Sequence, residues 1–256
     1  MSNTKLKKIA QELSQKILSN QHNNYSNQPF QHLFINDAFN RAIAEDALKS
    51  FPVADAKGWD FSNDDVEIKY RSKWTSEFDI PDGLIEIIRV FNSSIILEAL
   101  SKIFNIPKLM PDPYFTGGGL NTTKRGGKLD VHVDGNYHDK SGMHRRVNLI
   151  LFLSERWEEH WGGEFCLYDN TGEKCIKKIA PLNNRLLAFD THDKSFHGLP
   201  EPINFPEDVN RNSIILYYYT VEERPSEKVS ISEPHSALWK SRGLRDKKNK
   251  KTRKHF

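Results

Sequence analysis

The chain has 256 residues, of which 37% are hydrophobic and 28% are charged, and its formal charge is +3. This composition is typical of a globular protein and excludes collagen-like, disordered and disulfide-stapled chains. Its two cysteines, Cys166 and Cys175, form no CxxC pair, which excludes a thiolate zinc site and favours a reducing, cytoplasmic location.

The local hydropathy of the chain indicates neither a membrane-spanning segment nor a secretory signal. The longest apolar run, residues 147–153, is much shorter than the ~20 residues that span a bilayer. The N-terminal segment has neither the continuous apolar region nor the cleavage site of a secretory signal. We therefore expect no membrane contact and no export.

Apolar residues recur at helical spacing in three segments of the N-terminal part: 1–20, 38–50 and 83–104. Asp37 is the expected N-cap of the second helix, and the third segment predicts one or two helices that end before Pro107. Residues 52–81 predict turns and short strands. Residues 1–111 are thus expected to form a helical flank that packs on the core.

From about residue 112 the pattern changes to short β-rich runs separated by Gly, Pro, Asn and Asp. The predicted strands are 129–134, 146–153, 164–169, 185–190 and 212–221. Their connections are too short for helical crossovers, so the strands are expected to be antiparallel. The sequence therefore predicts a mainly β fold with an α flank. We expect a core over 112–225 and a C-terminal extension over 226–256, all in one domain.

The charge is unevenly distributed along the chain. Residues 240–256 contain nine Lys or Arg and one acid, a formal charge of +8, which leaves −5 for the other 239 residues. A run of like charges is usually solvated, and this is the favoured interpretation of the tail. Contact with nucleic acid or an acidic partner is the lesser alternative, because no aromatic residues are interleaved with the basic ones.

Strand 129–134 carries an imidazole and a carboxylate on one face, since alternate residues of a strand point the same way. His132 and Asp134 are these two groups, and they are two of the three ligands of the 2-His-1-carboxylate site typical of Fe(II) oxygen chemistry. His197, in a Gly/Pro turn after a predicted strand, is the best candidate for the third ligand, and His192 is its only competitor. The remaining downstream histidines are interpreted as surface or loop residues: His138, His144, His160 and His235.

The last predicted strand places an arginine and a hydroxyl group on its inward face. Arg211 and Ser213 share this face with Ile215, Tyr217 and Tyr219. A buried arginine needs an anion, and no carboxylate shares its face of the strand. A bound dicarboxylate, held by the guanidinium and the Ser213 hydroxyl, is a natural partner.

These residues carry a resemblance to a known family. The HVD triplet at 132–134, the distal His197 and the R-x-S pattern at 211–213 resemble the Fe(II)/2-oxoglutarate-dependent dioxygenases, and within them the prolyl 4-hydroxylase-like branch. Further segments resemble a bacterial or phage-type subgroup: GGGL at 117–120, GGKLDVHVDGNYH at 126–138, RRVNLILFLSERW at 145–157, WGGEFCLYD at 161–169 and APLNNRLLAFD at 180–190. The resemblance covers about residues 112–221 and, more loosely, the segments FQHLFINDAF at 30–39 and HSALWKSRG at 235–243.

The resemblance implies a double-stranded β-helix, or jelly roll, supported by the N-terminal helices. Fe(II) would be held by His132, Asp134 and His197, and 2-oxoglutarate by Arg211 with Ser213. The implied reaction consumes dioxygen, releases succinate and carbon dioxide and hydroxylates an unactivated C–H bond, with ascorbate as a supporting reductant. The presence of the carboxylate Asp134 favours hydroxylation over halogenation.

Three more polar residues are candidate contacts of 2-oxoglutarate. Asn148 shares a strand face with Ile150 and Phe152 and would be a buried amide in need of partners. Tyr114 and Asn121, which precede the HVD strand, are weaker candidates for the same role.

Several questions stay open at this stage. The substrate could be a prolyl residue, another protein side chain, a free amino acid, or a carbohydrate or lipid precursor. Two other hypotheses are a jelly-roll metal-binding module without turnover and, from the basic tail alone, a nucleic-acid demethylase of the same iron chemistry. The pattern does not decide whether Arg145 and Arg146 begin a solvated strand or face the substrate opening.

Overall fold

The computed structural model describes residues 1–19, 24–54 and 57–245. Most of the basic tail, residues 246–256, lies outside the described residues, so the interpretation of the tail stays a prediction. Within the described part of the chain, no helix is both long and apolar enough to cross a membrane.

The predicted helical segments are confirmed, and the third of them is divided in two. The helices are α1 (Asn3–Ser19), α2 (Arg41–Lys49), α3 (Asp82–Phe91) and α4 (Ser94–Phe104). The expected cap of α2 is wrong. Asp37 has a positive φ of 50° and lies before the helix, whereas the side chain of Asn40 accepts a hydrogen bond from the Ile43 amide at 3.1 Å.

Fourteen strands are found among the described residues. They are β1 (Tyr25–Ser26), β2 (His32–Ile35), β3 (Trp59–Asn63), β4 (Glu67–Ser72), β5 (Met110–Pro111), β6 (Gly119–Thr123), β7 (Lys128–Val133), β8 (His144–Phe152), β9 (Phe165–Tyr168), β10 (Cys175–Ile179), β11 (Arg185–Asp190), β12 (His197–Leu199), β13 (Arg211–Thr220) and β14 (Leu238–Trp239). The main path runs β1, β2, β11, β8, β13, β6, β4, β7, β12, β9, β10. Every pairing is antiparallel, as predicted.

The sheet is curled so that its two ends face each other. Apolar residues of β8 and β11 pack in one cluster with residues of β9 and β10, although these strands are far apart along the path. The interior cluster includes Ile150, Phe152, Phe165, Leu167, Leu187 and Phe189. This arrangement is the predicted jelly roll, with an interior between the two halves of the sheet.

Strand β8 explains why the central run of the sequence is almost continuously apolar. Ile150 and Phe152 point into the interior of the roll, whereas Leu149 and Leu151 pack with the helices outside it. A strand buried on both faces has no solvent side on which polar residues would be placed. The interior position of Asn148, on the same face as Ile150, is therefore an exception that needs partners.

The segment after β13 returns across the roll and is anchored by Asp193. One carboxylate oxygen of Asp193 accepts a hydrogen bond from Arg224 at 2.8 Å, and the other accepts from the amides of Ser230 and Ile231 at 2.7 and 2.9 Å. Burial acts to raise the pKa of Asp193, but His235 together with these donors lowers it to about 2. The segment is thus held by a buried, charged anchor.

Replacing Asp193 with Asn is expected to lower the free energy of unfolding by about 3 kcal/mol, because it leaves the Arg224 guanidinium buried without its counter-charge. The folded pKa lies below the unfolded one, so the carboxylate's contribution is full above about pH 4 and is lost as the pH falls toward 2. Denaturant titrations between pH 7 and pH 3 measure both effects. Asp208→Asn, at the exposed ion pair with Arg156, is the control, with a change under about 0.5 kcal/mol. Equal losses in the two variants would contradict the assignment.

Candidate active site

Three buried side chains meet where β7 and β12 lie side by side. His132 and His197 are directly paired across these antiparallel strands, and Asp134 follows the last residue of β7. The ligand atoms of the three residues all lie within 4.8 Å of one another. Each imidazole Nε2 is 3.8 Å from an oxygen of Asp134. The structure therefore brings together the three residues that the sequence selects, and they could hold one metal ion.

Hydrogen bonds fix the orientation of both imidazoles. His132 Nδ1 donates to the carbonyl of Asp130 at 2.8 Å, and His197 Nδ1 donates to the carbonyl of Ser195 at 2.8 Å. Because a carbonyl only accepts, the proton of each neutral ring sits on Nδ1. The Nε2 lone pair of each ring is then available to bind a metal ion that Asp134 would also bind.

Aromatic rings support each imidazole from the side. Phe165 stacks on His197 at a centroid distance of 5.3 Å, and Phe189 meets the same ring edge-on at 4.8 Å. His132 is covered by Trp239, whose ring lies 4.6 Å away at an angle of 32°. These contacts restrict rotation of the two rings and keep water from their faces.

The protonation states of the cluster suit a divalent cation. Burial lowers the pKa of His132 to about 3 and also lowers the pKa of His197. For Asp134, burial acts to raise the pKa, but the neighbouring His197 and Arg145 lower it to below its ordinary value. At neutral pH the site therefore offers two neutral imidazoles and one carboxylate, the donor set of non-haem Fe(II) oxygenases.

Arg211 is a buried cation that forms no salt bridge within the described part of the chain. It is 5% exposed, its Nε donates to the carbonyl of Gly163 at 2.7 Å, and its guanidinium lies 5.1 Å from the Phe152 ring centroid. Its Nη2 has no hydrogen-bond partner among the described residues. Burial lowers the pKa of Arg211 to about 10. An anion reaching this guanidinium would remove the cost of leaving it unpaired.

Two asparagines add further unsatisfied polar atoms between the metal cluster and Arg211. Asn148 donates to Asp134 Oδ2 at 3.0 Å, but its Oδ1 has no partner among the described residues, and neither has Asn121 Nδ2. Asn121 lies directly across the ladder from Ser213, which is itself buried. This row of buried polar groups fits a dicarboxylate that spans from the metal to Arg211. The residues present therefore fit both Fe(II) and 2-oxoglutarate.

Tyr114 is not brought to this row. Its side chain is 42% exposed and packs against the ring of His138 and beneath the ammonium of Lys140. The prediction that Tyr114 contacts 2-oxoglutarate is not supported by this placement.

Two histidines expected at the surface or as a competing ligand are buried elsewhere. His138 Nε2 donates to Asp112 at 3.0 Å, which ties the loop after β7 to the segment before β6. His192 accepts a hydrogen bond from the Lys194 amide and meets Phe30 edge-on. In the described part of the chain, neither belongs to the group of possible metal ligands.

A β-bulge decides the orientation that the sequence left open for the paired arginines. In the ladder between β8 and β13, Tyr219 pairs with Arg145, and Arg146 is the extra residue. Arg146 donates to the Thr220 hydroxyl at 3.3 Å. The bulge breaks the strict alternation of β8, so that Arg145 rather than Arg146 faces the site.

Arg145 is a site residue that sequence analysis did not assign. Its Nη1 lies 3.9 Å from Asp134 Oδ1, and its Nε and Nη2 donate to the Tyr219 hydroxyl at 3.2 and 3.0 Å. The guanidinium also stacks on the Tyr217 ring at 3.8 Å. Two consecutive arginines at the start of a buried strand were the available indication, since one of them must point inward.

Gly198 permits the close approach of the two ligand strands. A Cβ at this position would lie 2.8 Å from the carbonyl oxygens of Leu129 and Asp130 on β7. We expect Gly198→Ala to force β12 away from β7, to cost about 1–3 kcal/mol of stability and to weaken Co(II) binding. Gly126→Ala, where nothing lies within 4 Å of the added Cβ but φ is positive, controls for a general effect on stability. Unchanged Co(II) binding by Gly198→Ala would contradict this account of the spacing.

The family model described as the 2OG-Fe(II) oxygenase superfamily matches residues 118–219. The chain carries a 2OG-Fe(II) oxygenase domain. The matched part of the oxygenase contains the His132, Asp134 and His197 cluster as well as Arg211 and Ser213. Among curated proteins, none matches the sequence of this oxygenase.

The solved structures of similar fold include prolyl hydroxylases. One is a prolyl hydroxylase from Trichoplax adhaerens in complex with a hypoxia inducible factor peptide fragment, with a TM-score of 0.57, 16% identity and coverage of 86% of the oxygenase and 94% of that chain. A second is a Pseudomonas putida prolyl-4-hydroxylase, with a TM-score of 0.55, 12% identity and coverage of 83% and 100%. A prolyl 4-hydroxylase from Phytophthora capsici has a TM-score of 0.56 at 18% identity and coverage of 85% and 68%. At these identities the likeness shows the fold, and it confirms the predicted jelly roll.

Proposed function

We propose that this oxygenase hydroxylates an unactivated C–H bond, with Fe(II) held by His132, Asp134 and His197 and with 2-oxoglutarate held by Arg211 and Ser213. One observation carries the proposal: buried polar atoms without hydrogen-bond partners among the described residues extend from the 2-His-1-carboxylate cluster to Nη2 of the buried Arg211 guanidinium. The family match to residues 118–219 supports the same chemistry.

The two cofactors and the protein have separate tasks. Fe(II) with bound 2-oxoglutarate supplies the oxidation of a substrate C–H bond by dioxygen, with release of succinate and carbon dioxide. The protein orients its two imidazoles through the Asp130 and Ser195 carbonyls. Asn148 fixes the Asp134 carboxylate through one oxygen. Because only three protein residues would hold the metal ion, coordination positions would remain for the co-substrates.

Arg211 selects the co-substrate by charge and length. Its guanidinium is buried beside Phe152 and can receive one carboxylate, while the Ser213 hydroxyl on the same strand face can donate to it. A metal-binding module without turnover is not favoured, because a structural ion has no use for this anchor. The nucleic-acid demethylase hypothesis has no supporting observation, since most of the tail lies outside the described residues.

We propose a prolyl residue in a peptide or protein as the substrate class to test first. The support is the fold of the structural neighbours, which include prolyl hydroxylases, one of them in complex with a peptide fragment. A cytoplasmic location is also proposed, and the two free thiols of Cys166 and Cys175 are consistent with a reducing compartment.

The test is a turnover assay with purified protein, Fe(II), ascorbate and 2-oxoglutarate under air. Proline-containing peptide pools, free amino acids, saccharides and oligonucleotides are added in separate reactions. We expect one pool to stimulate succinate release and to yield a product heavier by one oxygen. Loss of a methyl group from an oligonucleotide would instead favour the demethylase, and absence of any succinate would favour the module without turnover.

A further inference from the structure

We infer that Trp239, which lies outside the family domain, is a positioning residue for the metal ligand His132. The inference rests on the proposed function, since it concerns the same metal site. Trp239 is 20 residues beyond the end of the matched segment 118–219. No comparison assigns a role to this part of the chain.

The geometry places Trp239 directly beside the ligand. Strand β14 pairs with β7 so that Trp239 is opposite His132 and Leu238 is opposite Val133. Residues opposite each other in a ladder point to the same face of the sheet, and the two rings lie 4.6 Å apart at 32°. Trp239 is only 3% exposed, so its ring covers His132 from solvent.

The two imidazoles of the site depend on different parts of the chain. His197 is flanked by Phe165 and Phe189, both of which lie within the family domain. The ring of His132 lies 4.4 Å from that of His197, and its other aromatic neighbour, Trp239, comes from the C-terminal extension. The hydrogen bond to the Asp130 carbonyl fixes the position of His132 Nδ1. The indole of Trp239 restricts rotation of the imidazole about that bond.

The extension is held firmly enough to act in this way. Asp193 accepts hydrogen bonds from two of its amides, and Asn136, two residues after Asp134, accepts from the His235 amide at 2.8 Å. A Cβ on Gly135 would lie 2.8 Å from the His235 carbonyl, so the extension touches the backbone beside the metal ligand. The extension is thus held both to the backbone beside Asp134 and to the segment that precedes His197.

Loss of the indole is expected to weaken metal binding more than it weakens the fold. Groups that orient a metal ligand without touching the metal typically contribute 10- to 100-fold to affinity. Trp239→Leu should therefore raise the dissociation constant for Co(II) by about 10- to 100-fold. Trp239→Phe keeps a flat ring against His132 and should stay within about threefold of the parent.

The experiment is equilibrium dialysis of the full chain against Co(II), at a temperature at which melting curves show every variant folded. Trp74→Leu is the matched control, because Trp74 is also buried but packs on Phe115. Parental affinity in Trp239→Leu, or an equal loss in Trp74→Leu, would overturn the inference. A parent chain that fails to bind Co(II) would overturn the proposed function as well.

If Trp239→Leu does not fold, the inference is tested by NMR spectroscopy of the parent protein. The parent is labelled with fluorotryptophan, and the resonance of Trp239 is assigned as the one missing from Trp239→Phe. A ring beside a metal ligand should show the largest paramagnetic shift of the five tryptophans when Co(II) is added. A resonance that does not move would overturn the inference.

Discussion

Replacing Asp134 with Ala is expected to abolish Co(II) binding and to reduce 2-oxoglutarate turnover by about 10³-fold or more. The carboxylate is the only anionic member of the cluster and lies 3.8 Å from each imidazole Nε2. Without it, two neutral imidazoles remain, and Arg145 places positive charge nearby. His132→Ala should give the same loss. Succinate release and equilibrium dialysis measure the two effects.

Two other histidines provide the controls for this experiment. His160 is exposed and outside the cluster, so His160→Ala should behave like the parent. His192→Ala tests the competing ligand and should leave Co(II) affinity unchanged, although its burial beside Phe30 predicts some loss of stability. Turnover by Asp134→Ala at the parental rate would refute the metal assignment. Loss of Co(II) binding in a folded His192→Ala protein would refute the choice of His197.

The second large effect is expected at Arg211. Arg211→Met should raise the dissociation constant for 2-oxoglutarate by about 10²- to 10³-fold, because it removes a charge-assisted, bidentate contact in a buried site. Ser213→Ala removes one neutral hydrogen bond and should cost about tenfold. Calorimetric titration of 2-oxoglutarate into the Co(II)-loaded protein separates these losses from losses in metal binding.

Stability should respond to Arg211 in the opposite direction. The free guanidinium is buried with an unsatisfied Nη2, so Arg211→Met is expected to leave the melting temperature unchanged or to raise it when no 2-oxoglutarate is present. Arg224 is the matched contrast, because it is equally buried but is paired with Asp193 at 2.8 Å. Arg224→Met should lower the melting temperature. A fall of similar size in both variants would contradict this contrast between the two arginines.

The metal ligands and the 2-oxoglutarate anchor could be predicted because alternate residues of a strand point to the same face. The HVD triplet places two ligands on one face of β7, and Arg211 with Ser213 repeats the same period on β13. The jelly roll followed from the resemblance, and the helical segments from their spacing. His197 was expected in a turn after a strand, but it is the first residue of β12 and pairs directly with His132.

Three other features could not be predicted from the alternation of residues along a strand: the role of Arg145, the position of Trp239 and the cap of α2. A bulge of one residue turns Arg145 rather than Arg146 toward Asp134, and a bulge has no fixed sequence pattern. Trp239 lies in a two-residue strand, which is too short to show periodicity. Asp37 and Asn40 are both good capping residues three positions apart, and the positive φ of Asp37 decides between them.

The pairing of β14 with β7 has a consequence for folding. Trp239 and His132 are about one hundred residues apart in the chain, and contacts of such long range form late and slowly. Until they form, β7 keeps an exposed edge along the segment that carries His132. We therefore predict that the metal site is completed late in folding. A slow rise of Co(II) affinity during refolding would follow this last step.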